Sequence, residues 1–134
     1  MDNDDIAHPE RLAKQVAFME LHPTVGVCGT AFQIFGSRNI SANMPVEDSA
    51  IREFMLVYNP IGHPTVMMRK STIDEYDLKY KQDYTPAEDY MMWYDFSKVS
   101  LLRNLPDILL DYRTHDNQMS HSMLTSQRAK VDKV

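Results

Sequence analysis

A chain of 134 residues, 43% of them hydrophobic, is one domain's worth and can bury a core of ordinary size. Its formal net charge of -5, with Lys and Arg scattered, lacks the dense cationic field that nonspecific binding to nucleic acid or anionic lipid needs. The single cysteine, Cys28, rules out an internal disulfide, no apolar run approaches the roughly 18 to 20 residues of a membrane span, and the N-terminus lacks the regions of a signal peptide; a soluble, cytoplasmic chain is expected.

The chain opens on MDNDD, a compact group of three acids. Leu12, Val16 and Met19 then fall at i, i+4 and i+7, and Pro9 suits a first helical turn, which predicts an amphipathic helix over 9–21. TVGVCGTAFQIFG is rich in β-formers and carries Gly26, Gly29 and Gly36, so it reads as a strand that bends or pairs with a neighbour, with Cys28 a buried, inert thiol. SRNISANMP reads as loop. Ile51, Phe54, Met55 and Tyr58 repeat the one-face spacing, predicting a helix over 47–58 that Asn59-Pro60 ends. HPTVMMRK fits a short strand, STIDEYD a turn or two of helix, and LKYKQDYTP a polar, aromatic loop.

In TPAEDYMMWYDFSKV, Thr85 suits an N-cap, Pro86 the first helical position, and Glu88, three after Thr85, completes a capping box. Two short extended pieces follow, at 100–102 and 108–112, and Met119, Met123 and Leu124 suggest a final helix within 118–134. The ten methionines are spread along the chain and read as flexible core filling. The order is mixed α and β, without the regular alternation of a doubly wound sheet.

Asp2, Asp4 and Asp5 could bind a hard divalent cation through oxygen; the commoner reading is an acidic lead-in that favours the positive end of the next helix. Glu88 is accounted for as the cap partner of Thr85. Asp89 is not, and so is the better candidate for a general base, which needs a carboxylate held ionised near a substrate hydroxyl. His63, in the Gly- and Pro-flanked NPIGHPTV, and His115, in DYRTHDNQMS, are either site residues or hydrogen-bonded structural histidines. Trp93, one turn after Asp89, is either a ring for a sugar to stack on or core, and core is the commoner outcome. His8, His22 and His121 read as surface residues.

Four stretches, in order, strongly resemble the C-terminal half of the inverting family 2 glycosyltransferases of the GT-A fold: MDNDDIAHPERLAKQ, residues 59–69 (NPIGHPTVMMR), residues 87–97 (AEDYMMWYDFS) and residues 112–120 (YRTHDNQMS). The resemblance implies an α/β fold, a mixed sheet with flanking helices, forming a single partial domain over 1–134 from which the N-terminal nucleotide-binding half is absent. It implies transfer of a sugar from a nucleotide-diphosphate sugar to an acceptor hydroxyl, on a glycan or lipid-linked glycan, with inversion. Asp2 and Asp4, with Asp5 beside them, match the acids that hold Mn or Mg, and His115 matches a further metal or diphosphate contact. Asp89 matches the base, Glu88 an acceptor contact or cap, and His63 and Trp93 positions near acceptor and sugar. An alternative expectation is a noncatalytic remnant that serves as an interaction module, dimerising through an exposed sheet edge. A metal-dependent hydrolase is a weaker third reading, since no second ligand cluster or nucleophile motif is evident.

Overall fold

Residues 25–31 are buried without interruption, a pattern a strand shows when both faces of its sheet are covered. The computed structural model, which describes residues 2–37 and 39–114, bears this out. Strand β1 (Ile6–Ala7) leads to helix α1 (Arg11–Leu21), then β2 (Val25–Gly36) and β3 (Ile40–Ala42). Helix α2 (Asp48–Met55), a 3-10 turn at His63–Thr65, β4 (Met67–Met68) and α3 (Lys70–Tyr76) follow. A second 3-10 turn at Gln82–Tyr84 precedes α4 (Glu88–Val99) and β5 (Leu101–Thr114). The sheet is mixed: β1-β5-β2-β3 in order, with β2 and β5 parallel and all other pairs, including β4 on β2, antiparallel.

Helices cover both faces. Ile51 and Met55 of α2 and Met92, Trp93 and Phe96 of α4 pack with Val27, Ile61 and Leu102, while Met19 of α1 packs with Val25 and Cys28 on another cluster. Close approach of the central strands requires glycine at position 29, where a Cβ would lie 2.2 Å from the Asn104 side-chain oxygen. Cys28 is fully buried and burial pushes its thiol pKa up to about 11, so the inert reading stands.

Several expectations are corrected. Leu12 and Val16 are 63% and 45% exposed, and the buried face of α1 is instead Arg11, Gln15 and Met19. Met19 packs in the apolar cluster, but Arg11 and Gln15 are held by hydrogen bonds: Gln15 Nε2 donates to the carbonyls of Cys28 (2.8 Å) and Thr65 (2.9 Å), and Arg11 Nε donates to Gln15 Oε1 (3.1 Å). Gln15→Ala would remove the buried amide that bonds both carbonyls, and is expected to destabilise the fold by about 2–4 kcal/mol, read as a fall in Tm on the order of 10 °C. A Tm within a degree or two of wild type would contradict this account of α1.

The predicted loop after β2 contains β3, which pairs with Phe32, Gln33 and Ile34 and is pinned by Ser41 Oγ donating to Gln33 Oε1 at 2.8 Å. On α2, Ile51 and Met55 face the core as expected, but Phe54 and Tyr58 are exposed. The two expected extended pieces are one strand, β5, whose register against β2 jumps from Leu105 to Ile108. Pro106 has no N–H for the ladder, and a bulge is how a strand passes such a residue. The expected final helix within 118–134 and His115 lie outside the described residues.

Candidate functional site

The start of α4 sets the site, and it is not the capping box that spacing suggests. Thr85 closes the preceding 3-10 turn, its N–H bonding to the Gln82 carbonyl, and α4 begins at Glu88 after Ala87 with no side-chain cap bond. Glu88 is thereby released from a capping role: its Oε2 is buried and has no hydrogen-bond partner among the described residues. With Asp89 it places two carboxylates in the first turn of the helix, where the dipole favours negative charge.

Asp89 is half-buried and held at both oxygens. Asn59 Nδ2 donates to Oδ2 at 2.8 Å, and the Tyr90 backbone N–H donates to Oδ1 at 2.7 Å. Burial raises its pKa above the ordinary carboxylate value, opposed by the Tyr90 and Asn59 bonds and by His63, and assisted by Glu88. Asp89's contribution to stability is thus fully present below its unfolded pKa and is lost as pH rises through the higher folded value. The ionised carboxylate is therefore the less comfortable form, as a proton acceptor poised for reaction should be.

His63 leads its 3-10 turn and is exposed, with Tyr80 Oη 3.4 Å from Nε2 and the ring of Trp93 meeting it edge-on at 6.2 Å between centroids. Tyr80 stays a neutral hydroxyl, its pKa raised by burial and by the charges of Asp89 and Glu88. His63, Tyr80, Gln82, Thr85 and Glu88 line an open cleft of about 560 Å³. Trp93 corrects one expectation, because it is fully buried in the core and offers no face to a ligand. Its role is beneath the site, supporting His63.

The acidic cluster is organised around its last member. Asp5 is buried, and its carboxylate accepts the backbone N–H of Asp2 (3.1 Å) and of Arg113 (3.2 Å), while Arg113 Nε donates to the Asp4 carbonyl at 3.3 Å. Asp5 thus straps the opening loop to the C-terminal end of β5. Asp2 is exposed and Asp4 half-buried. Among the described residues no three His, Cys, Asp or Glu side chains converge as a cation site. Asp2 and Asp4 supply at most two carboxylates, so a cation held there would take its other ligands from water or a bound diphosphate.

The two groups are linked through the sheet. A Cβ built on Gly62, next to His63, would meet the Phe32 ring at 2.7 Å, and that ring packs edge-on against Tyr112 at 6.1 Å between centroids. Tyr112 adjoins Arg113, the strap to the acids. Both groups therefore approach the C-terminal ends of the parallel strands β2 and β5, where open α/β sheets usually place their ligands. Spacing brought Glu88, Asp89 and His63 into view, and the structure gathers them. It missed Asn59, whose contact with Asp89 spans thirty positions, and the hydrogen-bonding contact of His8 Nε2 with Asp111 Oδ1 at 3.1 Å. A second cleft, of about 520 Å³ between α3 and α4, includes Lys79, Lys81 and Lys98, but each pairs with Asp77 or Asp95.

No family model matches the chain. It is 33% identical to an uncharacterized glycosyltransferase of Haemophilus influenzae, over the whole chain and 45% of that protein. It is 32% identical to the amylovoran biosynthesis glycosyltransferase AmsE of Erwinia amylovora, over 90% of the chain and 46% of that protein. It is 29% identical to the O-antigen biosynthesis glycosyltransferase WbnJ of Escherichia coli, over 92% of the chain and 50% of that protein. The chain spans about half the length of these curated relatives. Among the described residues no helix is long and apolar enough to cross a membrane. The chain is, in sequence, a homologue of the C-terminal part of proteins named glycosyltransferases.

Proposed function

We propose that this chain carries the acceptor-activating half of an inverting, family 2-type glycosyltransferase of the GT-A fold, with Asp89 as the base. The observation that carries this reading is a half-buried carboxylate, held at both oxygens and raised in pKa, beside an open cleft that His63, Tyr80 and Glu88 line. Asp89 takes the proton of an acceptor hydroxyl as its oxygen bonds to the anomeric carbon of a nucleotide-diphosphate sugar. The bond from that carbon to the diphosphate breaks, its electron pair leaves with the nucleoside diphosphate, and one displacement inverts the centre. The acceptor is a glycan or lipid-linked glycan, and Glu88 and His63 contact it.

Transfer from a panel of nucleoside-diphosphate sugars, measured for the chain alone and joined to the N-terminal half of the H. influenzae relative, tests the reading. Product formed by the joined protein and lost on Asp89→Asn supports it; transfer unaffected by that substitution overturns it.

A divalent cation, Mn or Mg, at Asp2 and Asp4 belongs to the same proposal as a binding event. Mn²⁺ should broaden the amide signals of residues 2–5 selectively, and Asp4→Asn should remove the effect; broadening spread evenly over surface acids would contradict it. The second reading is a noncatalytic module that dimerises through a sheet edge or through α1. The exposure of Leu12, Val16 and Leu21 favours it, and it predicts that Asp89→Asn changes nothing but stability.

A further inference from the structure

We propose that Asn59 is the positioning residue for Asp89: its side-chain amide holds the carboxylate in one orientation and favours its ionised form. The inference rests on the reading of Asp89 as the base, and it arises from a contact between elements that no motif spacing specifies. The Tyr90 N–H comes with the helix and serves Oδ1; Asn59 reaches Oδ2 from the turn after α2. The other titratable groups acting on Asp89 are His63 and Glu88, and its own charge acts on Tyr80. His63 is exposed, so its influence is screened by solvent and salt, whereas a direct hydrogen bond at 2.8 Å is not.

Asn59 is itself fixed. Its Oδ1 accepts the Ile61 N–H at 3.3 Å, so rotating the amide by half a turn would set oxygen against the Asp89 oxygen and NH₂ against an N–H. The next residue, Pro60, is buried, and its carbonyl accepts from Asn104 Nδ2 at 2.9 Å; the same amide bonds the Pro45 carbonyl at 2.7 Å. A line of contacts thus runs from Asn104 in the centre of the sheet through Pro60 and Asn59 to Asp89. A neutral donor is suited to this place. A cation would hold the proton off too strongly for a base, and a second carboxylate would raise the pKa further.

The test is carboxyl-carbon NMR titration of Asp89 in the wild-type chain, Asn59→Ala and Asn59→Asp. In wild type, the Asn59 side-chain amide signals should move with the Asp89 midpoint, a result that needs no variant to fold. Asn59→Ala should raise that midpoint by about one pH unit, since the bond favours the charged form. Asn59→Asp, nearly isosteric, should give two coupled steps. Where transfer is assayed, the acid limb of the rate profile should move with the same midpoint. Amide signals indifferent to Asp89, or an unmoved midpoint in a folded Asn59→Ala, would overturn the role of Asn59. Failure of the base itself looks different, as full transfer by Asp89→Asn.

Discussion

Asp89→Asn is expected to lower sugar transfer about 10²–10⁴-fold, the range that removal of a general base covers. The loss should fall on kcat, because the substitution keeps size and shape and removes only the group that takes the proton. The fold should survive. One oxygen remains to accept from either Asn59 or the Tyr90 N–H, and the burial cost of the charge disappears with the charge. Thermal unfolding at neutral pH should therefore stay close to wild type while transfer collapses. A variant that lost activity by unfolding would not meet this expectation, and neither would one that kept both.

Trp93→Ala is expected to cost about 3–5 kcal/mol of stability, the range for removing a large aromatic from a core. Trp93 is fully buried and belongs to the cluster that joins α4 to α2 and to Leu102 of β5, so the cavity would open where three elements meet. With typical stabilities of about 5–15 kcal/mol, roughly a fifth of the fold's margin or more would go, and equilibrium denaturation would show it as a lower midpoint. Trp93→Phe should recover most of the loss, because its Nε1 has no hydrogen-bond partner among the described residues. A surface residue that stacks on sugar would behave oppositely, with stability unchanged and substrate binding weakened.

Apolar spacing located α1 and α2, whose runs are long enough to show it, while β2 was marked by its β-forming composition and α3, α4 and the two ends of β5 by shorter local signals. It misjudged which face is buried where hydrogen bonds rather than apolar contact hold the helix. Leu12 and Val16 look like a core stripe, yet Gln15 fills that place by bonding two backbone carbonyls that only the fold brings together. The capping box at Thr85 failed for a similar reason: the residue is already engaged in closing a tight turn, which local spacing does not reveal. Strand β3 is three residues long and takes its stability from pairing with β2, so nothing in its own composition marks it. At the site, Glu88 and Asp89 were visible as adjacent acids at a helix start, and His63 as a histidine in a constrained turn. Asn59 was not, since an amide before a proline reads as a helix terminator, and its partner lies far along the chain.

If Asp89 accepts the acceptor's proton, its ionisation must govern the pH dependence of kcat/KM for transfer by the joined protein. The rate should rise with pH through a midpoint above the ordinary aspartate value and equal to that of the Asp89 carboxyl titrated by NMR, the residual rate of Asp89→Asn lacking this limb. An acid limb whose midpoint departs from the Asp89 titration, or one that persists unchanged in Asp89→Asn, would contradict the claim.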